Sequence, residues 1–151
     1  MAKKYKFKLD GLLKLRSFKE EKLKVELGQI NQEVYKVKER IKELENHIAD
    51  SYVEQEKVFA DSSNGQLARF FPYYMQAKRE DIKNQENLLY SLQKKYERKL
   101  NEVHRAMGET KIISNMKDKD MDNWRKAKNK EDNENMEESV QMRQFFKERE
   151  L

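Results

Sequence analysis

Along residues 26–58 the aliphatic positions recur with a fixed period. Leu27, Val34, Ile41 and Ile48 return every seven residues, and Ile30, Val37 and Leu44 do the same three residues further on. The neighbouring positions carry Glu26, Asn31, Glu33, Lys38, Arg40 and Glu45. A single narrow apolar stripe on a charged helix is the seam of a coiled coil and calls for a partner helix. Asp10 fits an N-cap, and Leu12, Leu13, Leu15, Phe18 and Leu23 lead into the stripe. Helix 1 is therefore expected from about 10 to 60, about 75 Å long at ~1.5 Å per residue.

The run Asp61-Ser62-Ser63-Asn64-Gly65 breaks the pattern with turn-forming residues and predicts a turn over 61–66. Pro72 disfavours helical geometry at Phe71 and suits the first turn of a new helix, so a kink or restart is expected there. Helix 2 is then expected from about 72 to 125, where Ile82, Leu89, Tyr96 and Val103 recur every seven residues. Folding the chain at Gly65 pairs Ile48 with Ile82, Ile41 with Leu89, Val34 with Tyr96 and Leu27 with Val103, each pair summing to about 130. The fold class that follows is all-α: a long two-helix antiparallel coiled-coil hairpin with an unpaired C-terminal extension over 126–151. The whole chain, 1–151, reads as a single elongated coiled-coil domain with both termini at one end. The extension begins with a polar stretch, Asn129 to Asn135, that forms helix poorly. It is a frayed tail or a helix awaiting another protein.

Composition narrows this further. Of 151 residues 40% are charged and 36% hydrophobic, with one Pro and four Gly, which excludes a thick globular core. The chain has no cysteine, so disulfides and Cys-based metal sites are excluded. No apolar run approaches the ~18 residues needed to span a bilayer, and the first residues lack the apolar core of a signal peptide. The net charge of +5 is small for 33 basic and 28 acidic residues that interleave, and it disfavours a nucleic-acid partner. The lead-in Lys4, Tyr5, Lys6, Phe7, Lys8 alternates basic with aromatic residues. It reads as a frayed solvated end or as a basic arm for an acidic partner or a membrane surface.

No catalytic constellation, phosphate loop or metal-ligand spacing is found, and no cofactor is implied. His47 and His104 read as solvated residues, which argues against an enzyme. The distinctive residues are aromatic: Tyr52, Phe59, Phe70, Phe71, Tyr73 and Tyr74 crowd the turn end, more rings than one seam can cover. The excess is expected to be a protein-contact surface. Trp124, near the other end, is a terminal plug or a contact residue.

Three segments resemble the FliJ family, the small coiled-coil component of the bacterial flagellar type III export apparatus. The first is Lys6-Phe7-Lys8-Leu9-Asp10-Gly11-Leu12-Leu13-Lys14-Leu15-Arg16 with Lys19-Glu20-Glu21; the second is Phe71-Pro72-Tyr73-Tyr74-Met75 with Ile82 and Gln85. The third is Asn135-Met136-Glu137-Glu138-Ser139-Val140-Gln141-Met142-Arg143-Gln144-Phe145, in which Met-Glu-Glu stands where the family has Leu-Asp-Glu. The resemblance implies a non-enzymatic stalk, similar to the gamma subunit of rotary ATPases, that serves motility. It implies binding and stimulation of the flagellar export ATPase hexamer, contact with the export-gate membrane protein, and escort of export substrate chaperones. By resemblance, the gate contact falls on Ile48, Tyr52, Tyr74 and Gln85, with Lys78 standing on that track where an aliphatic is usual. The ATPase ring contact falls on Leu13, Leu15, Trp124, Met136, Glu137 and Glu138. It further implies a protein that is monomeric in isolation, cytoplasmic, and peripheral on the inner membrane at the flagellar base. The alternatives are the equivalent stalk of a virulence type III secretion system, a basic coiled coil that binds nucleic acid, and a holdase.

Overall fold

The computed structural model describes residues 4–60 and 65–150. Among them the chain forms two α-helices and no strand: α1, Asp10–Ala60, and α2, Gly65–Arg149. The two helices pack against each other, so the all-α two-helix architecture expected from the heptads is observed. The chain divides into two compact units, 21–104 and 1–20 with 105–151, each built from a segment of α1 and a segment of α2.

In the unit 21–104 the core is one residue wide, as the composition requires. Ile30, Val34, Val37 and Leu44 of α1 and Met75, Leu92 and Val103 of α2 are buried, and Leu44 is completely so, at 0% exposure. Val34, Val37 and Leu92 form a cluster with Ile41 and Leu89 packed against it. The Ile30–Val37–Leu44 row extends one heptad further to Ser51, 7% exposed. Its hydroxyl donates to the His47 carbonyl at 2.7 Å, which is how a polar group is tolerated in the seam. In the unit formed by 1–20 and 105–151, Ala106 and Ile113 are buried and Leu13 is half-buried.

Flanking ion pairs report the register. Glu26 with Lys99 (3.0 Å) in one unit and Arg16 with Glu109 (2.7 Å) in the other each have numbers summing to about 125. Other contacts across the seam keep the expected sum of about 130: Ile41 and Leu89 pack against one cluster, and Arg79 reaches Tyr52. α1 stops at Ala60 and α2 starts at Gly65. The expected turn residues Asp61 to Asn64 lie outside the described residues.

Two further boundaries differ from the sequence reading. No helix starts at Pro72: α2 runs through it from Gly65. Pro72 removes one backbone donor, at a cost of about 3 kcal/mol in a helix interior, and the helix continues on both sides of it. Nor does α2 change at about 125. It continues without a break to Arg149, and every described residue from 129 to 150 is exposed. From 129 to 149 the C-terminal extension is helical and exposed.

Candidate partner-binding surfaces

Within 21–104, the residues assigned to a gate contact lie on two facing helix segments. Ile48 and Gln85 are half-buried. Tyr52 is 48% exposed, and its hydroxyl accepts a hydrogen bond from Arg79 Nη2 at 2.7 Å. Tyr74 is half-buried; its ring lies 5.8 Å from that of Phe70, and the Lys78 ammonium sits 5.3 Å over it. The same ammonium donates to His47 Nδ1 at 3.3 Å. Lys78, where an aliphatic was expected, therefore ties α2 to α1. His47 is half-buried and engaged by Lys78, not solvated as expected. His104 is exposed, as expected. Arg79 was not singled out from sequence. Its sequence neighbours give no sign of the tyrosine it reaches, which lies on the other helix.

The turn-end rings exceed what the seam covers. Phe59 is 58% exposed, Phe70 57% and Tyr73 77%. Phe71 and Tyr74 are half-buried and share a shallow groove with His47, Asp50, Ser51 and Glu54.

In the unit formed by 1–20 and 105–151, the basic-aromatic lead-in is docked, not frayed. The Tyr5 ring meets Trp124 edge-on at 5.7 Å, and the Tyr5 hydroxyl donates to Asp120 Oδ2 at 2.9 Å. Partial burial, reinforced by the Asp120 carboxylate, pushes the Tyr5 hydroxyl from its usual 10.0 up to about 12. Trp124 is half-buried, with the Tyr5 ring on one side and the Lys128 ammonium 5.2 Å from the indole. Asp10 does not act as the expected N-cap. It is the first helical residue, and its carboxylate is held by Lys117 at 3.0 Å and Lys14 at 3.6 Å. The Lys117 hydrogen bond and charge hold that carboxyl below its usual range.

The residues assigned to an ATPase ring are distributed unevenly. Leu13 is half-buried, while Leu15 is 64% exposed. Met136 is 67% exposed, and Glu137 and Glu138 are exposed beside it. Among the described residues no group of three or more His, Asp or Glu could hold a metal ion. No described helix is long and apolar enough to cross a membrane.

The chain matches the family described as Flagellar FliJ protein over residues 5–150. No curated protein and no solved structure gave a significant match.

Proposed function

The chain belongs to the flagellar FliJ protein family, and on that premise we propose that it works in the flagellar export apparatus as a non-enzymatic stalk and adaptor. In this reading the exposed end of α2, with Leu13, Leu15 and Trp124, seats in the export ATPase hexamer and stimulates it. Ile48, Tyr52, Tyr74 and Gln85 contact the export-gate membrane protein, and the protein also escorts substrate chaperones. It would then act on the cytoplasmic side of the inner membrane at the flagellar base.

The observation that carries the reading is the family match across nearly the whole chain. Two physical features support it. Two helices paired along a charged-flanked seam, as in the unit 21–104, suit a stalk. Apolar side chains left in water over 136–146 lower their free energy on binding an apolar surface.

The test is the hydrolysis rate of the flagellar export ATPase with the full chain and with a chain ending at Lys128. That truncation keeps the Tyr5–Trp124 contact and the cation beside it. The expected outcome is stimulation by the full chain and its loss on truncation. Equal rates with and without the full chain would sink the stalk reading. Substituting Tyr52 and Tyr74 by Ala should leave that stimulation intact while weakening gate binding.

A further inference from the structure

The helical segment beyond 129 has a seam of its own. Glu138, Met142, Phe145 and Arg149 are spaced four, three and four residues apart, the spacing that keeps side chains on one helix face. Met142 is 66% exposed and Phe145 56% exposed. Glu138, Met142 and Phe145 line one shallow depression, and the Arg149 guanidinium lies 5.3 Å over the Phe145 ring. The seam reads acidic, apolar, apolar, basic, so it is complementary to its own reverse.

We propose that this seam pairs antiparallel with the same seam of a second copy of this chain. In the register that sets Met142 beside Phe145 of the second copy, Glu138 falls beside Arg149 of the second copy, and the two-fold axis repeats both contacts. Two Met–Phe contacts form the centre, a favourable sulfur–ring combination, and two carboxylate–guanidinium pairs close its ends. Parallel pairing stacks Glu138 on Glu138 and Arg149 on Arg149, and is rejected by like charge. Sliding the antiparallel pair by one heptad sets Glu138 against Met142 and Phe145 against Asn135, and loses the apolar centre. The charges in the seam therefore select one orientation and one register.

The paired stretch is about 16 Å long, so the association is weak. The protein is monomeric when dilute and pairs where copies gather. This inference does not rest on the stalk reading. Its test involves no ATPase, so either can fail without the other.

The test is sedimentation equilibrium of the full chain, from micromolar to several hundred micromolar. The variants are Glu138→Arg and Arg149→Glu, both at exposed positions, with helicity checked by circular dichroism. The wild type is expected to shift toward dimer as concentration rises. Each variant alone confronts like charges at both ends of the seam and should pair about tenfold more weakly. An equal mixture of the two restores every opposite-charge contact and should pair as the wild type does. A wild type that stays monomeric throughout overturns the proposal. So does pairing that neither variant weakens, which would locate the contact elsewhere, for example at the turn-end rings. Weakening by each variant without recovery in the mixture overturns the register.

Discussion

The paired stretch of α1 around Leu44 and the exposed stretch of α2 around Met136 have the same backbone structure and different sources of stability. Leu44 is 0% exposed and Met136 67% exposed. Both stretches are charged helices with apolar residues at heptad-like spacing. In the first, each apolar side chain meets one from the other helix, and the burial holds the backbone. In the second, only local contacts remain, such as Arg149 over Phe145 and the edge-on Phe145–Phe146 pair at 6.2 Å. An isolated helix in water is marginal because nucleation is costly and propagation gains little per residue. Heptad spacing therefore marks where a helix can be covered. A partner decides whether the helix is stable.

Hydrogen exchange addresses this contrast most directly, and its effect should be the largest. Amides of 30–48 are expected to exchange near the rate of global unfolding, and amides of 129–149 several orders of magnitude faster. Equal protection in dilute protein would mean that the exposed segment is covered after all. Leu44→Ala comes next, with an expected loss of about 2–5 kcal/mol in chemical denaturation, against a change within about 0.5 kcal/mol for Met136→Ala. Comparable losses at the two sites would remove the distinction.

A smaller effect is expected at the lead-in. Trp124 is the single tryptophan, so its emission reports its own surroundings. Tyr5→Ala uncovers one face of the indole and should shift the emission to longer wavelength. An unchanged spectrum would show that the lead-in is not docked in solution.

The smallest effect is in the pH dependence. Lys117 holds Asp10 below its usual 3.8, and Lys99 holds Glu26 below its usual 4.5. Each carboxylate contributes stability that is present above its usual value and is lost as the pH falls through its lowered folded value. Lys99, raised above 10.5 chiefly by its hydrogen bonds to Glu26 and Glu102, contributes stability below that pH and loses it as the pH rises further. Glu26→Gln should flatten both limbs of a stability–pH curve slightly. An unaltered curve would mean that solvent screens the pair completely.

Much of the architecture was legible in the sequence because it is local and periodic. The seven-residue rows through Leu27 and Ile30 established one-sided helices, and the second set through Ile82 and Leu89 supplied the partner. The crowd of rings near the turn was also legible, since its excess over one seam can be counted. Other features needed residues that the sequence keeps far apart. Among them is which side chains meet beside the seam, such as Lys78 with His47 and Arg79 with Tyr52. The docking of Tyr5 on Trp124 joins positions whose spacing carries no periodic signal. The sequence by itself determined which faces of the helices must be covered, because helix periodicity acts over three or four residues. Only the tertiary structure decided which residues meet across the seam, because one turn of sliding re-pairs every flanking charge and leaves the apolar stripe satisfied.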